Sequence, residues 1–422
     1  MLRLYRIDLL VVMLFCVSAV AEWPQYAGPN RDAHSPETGI AREWPESGPN
    51  TLWTVPVGEG FGGAAISDGE VYFLDRISGK EDIFRCLSLE TGEEIWRYTY
   101  AAPSEVSFPG SRTVPVVTEK YVYSVGVMGD FHCFDRETHE VVWHRNLIED
   151  YELGAPPRWG ISQAPSVSGD LVIVAPQSKD VLVAAYNRFT GERAWTSEGI
   201  GALGYVSPVL ANLHGVEQVV MTAAPGRRQP GTVVGLSVAD GKTLWRYEDW
   251  ACRIPIPYPT VLPGNEIFVT GGYGAGSQLF EVTKSGDEWG TKQLFETMDF
   301  GSQIHQPLFV DGVIYGNSNS NDVKDGMVCL AMDGTRKWRT RDDRSLPNFD
   351  FGNLIHVDGL IVNFDGRRGT LHLVEPNTAG YTEVARTELF KGNKMWAPMA
   401  FSEGKLVVRS QEAMKCVDLK NP

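Results

Sequence analysis

LSLETGEEIW, residues 87–96, recurs in close variants along almost the whole chain. FDRETHEVVW (134–143), YNRFTGERAW (186–195), LSVADGKTLW (236–245) and LAMDGTRKW (330–338) share its order: a β-prone run, a tight polar turn, and a tryptophan opening the next β-prone run. Short strands repeating at roughly 45 to 50 residues are the mark of a propeller or similar array, in which every unit leans on its neighbours. The 422 residues are therefore expected to form one closed ring rather than two or three separate domains.

Residues 1–21 read as a signal peptide. Arg3 and Arg6 precede an apolar run over 9–17, and Ala19 and Ala21 form a small-x-small cleavage site. Phe15 stands where a lipoprotein signal at Cys16 needs a small residue, so soluble export to the periplasm or exterior is the expectation. No later stretch reaches about 18 uninterrupted apolar residues, so no membrane span is expected. The formal charge is −15, or −16 without the two arginines and one aspartate of the leader. Such a chain, with no long basic run, is unsuited to nucleic acid.

Five cysteines follow the leader, an odd number without close spacing, which argues against a disulfide framework. Cys86 and Cys133 each lie ten residues before the motif tryptophan and Cys329 nine, while Ala185 and Gly235 hold that place in two other copies. Cys416 begins the truncated last copy, and Cys252 stands outside the pattern. A position occupied by Cys, Ala or Gly is a tightly packed strand site, so these thiols read as buried and inert.

Residues 22–50, rich in Pro and Gly, read as an irregular N-terminal arm without a strand, and 51–422 as an all-β, eight-bladed β-propeller of four-stranded antiparallel blades. Seven units run from 63–100, 113–146, 162–196, 205–247, 257–296, 304–339 and 351–390. The fifth has Trp289 too early, so Leu294 or Phe295 is expected to replace the tryptophan; the seventh has none. The last unit, from 396, runs out after three strands, and LWTVPV (52–57) is a fourth strand without a blade. Pairing the two closes the ring and removes two open sheet edges.

CLSLETGEEIW (86–96), AYNRFTGERAW (185–195) and GLSVADGKTLW (235–245) resemble the tryptophan-docking repeats of pyrroloquinoline-quinone (PQQ)-type propellers. That family includes quinoprotein alcohol dehydrogenases and the propeller lipoprotein of outer-membrane β-barrel assembly. WPQYAGPNRD (23–32) followed by LWTVPVGEG (52–60) further resembles exported bacterial quinone-binding-like repeat propellers. The resemblance implies PQQ with calcium as the cofactor of a dehydrogenase, and a protein partner for an assembly factor. The adjacent cysteine pair of the dehydrogenase branch does not occur here.

In a propeller, the loops joining consecutive blades and those between second and third strands emerge together around the channel. The long loops 102–112, 148–163, 249–258, 298–306 and 345–353 mark that face as functional. It collects the ligand-binding candidates Arg112, Arg158, Trp159, Gln163, Tyr205, Arg253, Tyr258, Gln303, Asn353 and Trp396, with Lys394 beside them. Arg76, Arg227, Arg228, Arg367 and Arg368 fall on second-to-third-strand loops. Guanidinium groups bind carboxylate or phosphate, so unpaired arginines would make an anion site, although pairing with rim carboxylates is the plainer expectation. His305 and Asp350 are the candidates for acid–base work. The plainer expectation makes His305 a hydrogen-bonded rim residue and the NSNSND loop, 317–322, a polar turn rather than a calcium site.

Three functions follow as expectations. The first is an exported, monomeric binding protein engaging a protein or carbohydrate at the channel mouth. The second is a quinone-dependent oxidoreductase, and the third a hydrolase or lyase acting on anionic sugars through His305 and Asp350. Fold alone does not choose among them.

Overall fold

The computed structural model describes residues 22–226, 231–319 and 325–421. Residues 1–21, expected to be a signal peptide, Arg227, Arg228 and the end of the NSNSND loop lie outside these residues. The described residues form eight sheets arranged as a propeller, each built on four antiparallel strands that are consecutive in the chain except in the last. Blade one shows the plan: Ala64–Ser67 lines the channel, Glu70–Ile77 and Glu81–Ser88 follow outward, and Glu94–Ala101 forms the rim. The eighth blade joins Ala400–Ser402, Lys405–Arg409 and Ala413–Asp418 to Thr51–Pro56, which pairs antiparallel with the last of these. The two ends of the propeller thus close the ring, as the orphan strand predicts.

The tryptophan has a fixed place in this plan. Trp96, Trp143, Trp195, Trp245, Trp338 and Trp53 lie directly across the ladder from Cys86, Cys133, Ala185, Gly235, Cys329 and Cys416. The register shifts at that pair in each of these blades, a bulge that re-aims the indole. Only a small side chain fits beneath: a Cβ on Gly235 would lie 2.2 Å from the Trp245 ring. All five cysteines are free and buried, and burial raises the Cys329 thiol to about 11 and that of Cys416 to about 12.

Re-aimed, the indole docks on the turn of the next blade. Trp53 covers Gly92, Trp143 covers Gly191 and Trp195 covers Gly241, so closely that any Cβ there would fall 2.4–2.7 Å from a ring carbon. The indole N–H donates to the carbonyls of Leu89, Arg188 and Val238 in the same turns. In blade five, Phe295 does this work against Gly334, whereas Leu294 points to solvent. Trp96 instead stacks on His139, which takes the glycine's left-handed conformation. Trp245 faces a fifth blade whose outer hairpin is long, and it turns back to Gln218 of its own blade. Blade seven places Ala385 at the tryptophan position, because the eighth blade, split between the chain ends, has no turn to receive an indole. Arm residue Gly48 packs there on Thr387 instead.

The arm is not wholly irregular. His34–Ser35 adds a short parallel strand to the channel edge of blade seven, a contact set by tertiary packing that local composition does not encode. The arm is also a plug. Glu22 accepts from Ser67 and Asp68 on the short-turn face, and Gly39 and Arg42 return to Asp358 on that face. Between them the arm rises into the channel and touches every blade. Trp23 bridges to Ile66, and the Pro24 carbonyl accepts from Val117. Arg31 donates to the carbonyls of Pro165 and Pro208, its own carbonyl accepts from Tyr258, and Tyr26 donates to Gln306. Glu37 then caps the Glu403–Gly404 turn of blade eight.

Gly241→Ala should cost about 1–2 kcal/mol for its left-handed backbone and a further ~1–3 kcal/mol for the collision with Trp195. Gly215→Ala has the same backbone cost but nothing within 4 Å. Equal losses at both sites in equilibrium denaturation would refute the docking. Deleting 50–57 should remove the cooperative transition of the whole ring, and an unchanged melting curve would show that closure is dispensable.

A candidate ligand site at the channel mouth

Above the plug, the channel opens into a cavity of about 360 Å³ with an apolar, strongly aromatic lining. Tyr26, at the tip of the arm, lies among its lining residues with His305 and Gln303. The loops supply two aromatic clusters. Trp396, which leads into blade eight, stacks on Phe61 at 5.1 Å between ring centres and touches Phe108 and Phe351. Trp159 and Tyr205, leading into blades three and four, pack together at 4.9 Å. Tyr273 completes the ring of aromatics from blade five.

Three of these residues hold a backbone that bulky side chains avoid. Phe108, Tyr273 and Phe351 have φ of 58°, 59° and 48°. They are the only Phe, Tyr or Trp with positive φ among the described residues, and all three line this cavity. Lys394, whose ammonium lies over the Phe108 ring, shares the conformation at 61°. Each such residue stores about 1–3 kcal/mol, which persists only where the surroundings over-determine it, and function concentrates there. Arg112 supplies part of that determination, because its guanidinium donates to the Ser107 and Phe108 carbonyls while lying 4.8 Å from the centre of the Phe61 ring.

The cations at the mouth lack acidic partners among the described residues. Among the described residues no carboxylate lies within ion-pairing distance of Arg112, Arg158, Arg253 or Lys394, and no Asp or Glu lines the cavity. Arg158 and Arg253 lie over the rings of Trp159 and Tyr273 instead. The expected pairing on the rim is seen for Arg368 with Asp365, whereas Arg76 lies inside the strand Glu70–Ile77 rather than on a loop, and its pair with Asp82 is buried. Burial lowers Arg112 to about 10, still protonated at neutral pH.

Of the residues singled out in the sequence, Arg112, Trp159, Tyr205, Gln303, His305 and Trp396 line the cavity, and Arg158, Arg253 and Lys394 flank it. Gln163, Tyr258 and Asn353 do not line it. Gln163 bonds Gln177 and the Gly204 carbonyl, Tyr258 is buried against the arm, and the Asn353 side chain accepts from the Met399 N–H. Each sits on a loop that does reach the mouth, but its side chain serves the wall. Phe61, Phe108, Tyr273 and Phe351 were not marked by their sequence, although Phe61 and Phe351 each precede glycine, a sign of unusual backbone at that spot.

His305 and Asp350 are each held by another group. His305 donates through Nε2 to the Trp396 carbonyl at 2.9 Å, and Asp350 accepts from the Asn319 amide. Because a carbonyl only accepts, Nε2 carries the proton, and in the neutral ring Nδ1 is an acceptor; that atom is buried without a partner. Burial lowers His305 to about 4. Burial first, and a neighbouring histidine second, lower His132 to about 3 and His356 to about 4.

These three rings stay neutral in the folded chain while the unfolded chain protonates them near pH ~6.5. The unfolded state therefore binds more protons in between, and stability present above that pH is lost on acidification, by up to about 1.4 kcal/mol per pH unit and per ring. Melting temperature should fall steadily from pH 6.5 to 4.5 and stay level from 7 to 8. A level profile through the acid range would contradict the buried neutral rings.

The family model for outer membrane protein assembly factor BamB matches residues 79–340. BamB from Moraxella catarrhalis superposes with a TM-score of 0.59 at 14% identity, over 88% of this chain and 99% of that one. A europium-containing methanol dehydrogenase gives 0.66 at 13%, over 92% and 89%. Quinohemoprotein alcohol dehydrogenase from Comamonas testosteroni gives 0.64 at 13%, over 95% and 81%. At such identities these structures share a fold with this chain, and no curated protein sequence matches it. With more than half its length matched by one family model, the chain belongs to the PQQ-like propeller family of outer membrane protein assembly factor BamB.

Proposed function

We propose that this chain is an exported binding protein that holds a small, flat, anionic ligand at the channel mouth. The strained aromatic residues carry the reading: positive φ at Phe108, Tyr273 and Phe351 costs stability and aims three rings at one cavity. The lining suits a flat ligand body, and cations with no acidic partner among the described residues suit its charge. The arm, which fills the channel beneath, makes the mouth a blind pocket rather than a passage.

Quinone-dependent oxidation, suggested by the two dehydrogenases of similar fold, is the alternative. The donor set does not fit its calcium. Among the described residues no Asp or Glu lines the cavity, and no cluster of three or more His, Cys, Asp or Glu stands ready to hold a metal. Sugar cleavage through His305 has less support, since a ring that protonates only near pH 4 and is tied to a carbonyl makes a weak base at neutral pH. Export rests on the leader, whose cleavage after Ala21 would leave Glu22 to start the arm.

A thermal-shift panel of aromatic acids, uronic acids and free PQQ tests the binding reading. A ligand present at a hundred times its Kd should stabilise the chain by about 2.7 kcal/mol, and Trp396→Ala with Trp159→Ala should abolish the shift. A panel without any shift would end the small-ligand reading. N-terminal sequencing of the protein recovered outside the cytoplasm should begin at Glu22, and retention of residues 1–21 there would overturn the cleavage.

A further inference from the structure

Four buried, unpartnered polar atoms in or beside the cavity narrow the ligand further, on the premise that the mouth is a binding site. Among the described residues, Nδ1 of His305 is an acceptor without a donor, and Nε of Arg112 and Nε1 of Trp159 are donors without acceptors. Nε2 of Gln306, the residue next to His305, is likewise unpartnered, while its Oε1 takes the Tyr26 hydroxyl. A buried polar atom left unpaired costs about 1–3 kcal/mol. The set therefore describes what is missing from the cavity: a hydroxyl or N–H near His305, and an oxygen acceptor near Arg112.

The body between these ends is constrained by the two aromatic clusters, one around Trp396 and the other of Trp159 and Tyr205. A pyranose would bring several hydroxyls, each needing its own partner. Of the serine hydroxyls of the lining, Ser162 already donates to the Gly160 carbonyl and Ser207 already accepts from the Ala164 N–H, which leaves the Ser207 O–H as their one free donor. An aromatic ring needs no such partners and matches the lining on both faces.

We infer that the cavity takes a hydroxylated aromatic carboxylate, with its ring between the two aromatic clusters, its carboxylate at Arg112 and its hydroxyl donating to Nδ1 of His305. The binding is reversible and forms no covalent bond. The neutrality of the imidazole keeps Nδ1 an acceptor across the physiological range. The carboxylate meets a guanidinium with no acidic partner among the described residues, so no existing ion pair has to break.

Titration calorimetry on the mature chain with 4-hydroxycinnamate, cinnamate, 4-hydroxycinnamyl alcohol, galacturonate and PQQ separates the contributions. 4-Hydroxycinnamate should bind one per chain, with cinnamate and the alcohol each at least tenfold weaker. His305→Phe should erase the preference for 4-hydroxycinnamate over cinnamate, and Arg112→Met the preference for acid over alcohol, each leaving the other preference in place. If His305→Phe does not fold, the comparison of the two acids on the unmodified chain still decides. Equal affinity for 4-hydroxycinnamate and cinnamate, or for acid and alcohol, would overturn the inference. Binding of galacturonate or PQQ without the aromatic acids would overturn the ligand class and leave the binding cavity intact. If none of the five binds, both the ligand class and the small-ligand reading fall.

Discussion

An indole laid on the glycine of the next blade is the contact on which this ring depends. It joins two blades that share no backbone ladder, and it couples three demands in one place: a small residue beneath the tryptophan, a bulge to re-aim it, and a Cβ-free turn to receive it. An aromatic side chain buries roughly 150–250 Å², so each copy is a large share of the blade interface. The exceptions obey the same geometry. Trp245 folds back where the long outer hairpin of blade five carries the next turn further out, and Ala385 appears where the following blade is split between the chain ends. Repetition of the motif follows from repetition of the interface.

The two faces of the ring then diverge. Short turns on one face anchor the arm at both ends, through Glu22 at blade one and Glu37 at blade eight. Its tip carries Tyr26 and Arg31 into the channel, where a buried guanidinium is satisfied by proline carbonyls, and burial lowers it to about 10. Filling the channel from below gives the opposite mouth a floor. The cavity is thus a joint product of the plug and the loops, and neither alone would enclose it.

Strain and unpaired charge coincide at that mouth. Proteins keep bulky residues out of the left-handed region because the backbone cost is immediate, so three such aromatics around one cavity need a compensating return. Arg112 links the two features: it holds the Phe108 and Ser107 carbonyls, stacks on Phe61, and leaves Nε unpartnered. The same ring contacts that position Trp396 place its carbonyl on His305, fixing the tautomer and hence the kind of atom offered to a ligand.

The repeat by itself determined the blades, their number, the closure by Thr51–Pro56 and the burial of Cys86, Cys133, Cys329 and Cys416, because each is a local pattern multiplied by a fixed period. It also placed Arg112, Trp159, Tyr205, Gln303, His305 and Trp396 on one face, where they line one cavity, since loop length and position along a blade are written in the chain. Which loop side chains turn inward was decided by tertiary structure alone. Gln163, Tyr258 and Asn353 are taken up by the wall, while Phe61, Phe108, Tyr273 and Phe351, indistinguishable by composition from core aromatics, turn into the cavity. The path of the arm was settled in the same way, because its contacts with the eight blades join residues far apart in the chain. The reason is common to both: the sign of one φ angle, or one hydrogen bond across hundreds of residues, redirects a side chain without altering the pattern that surrounds it.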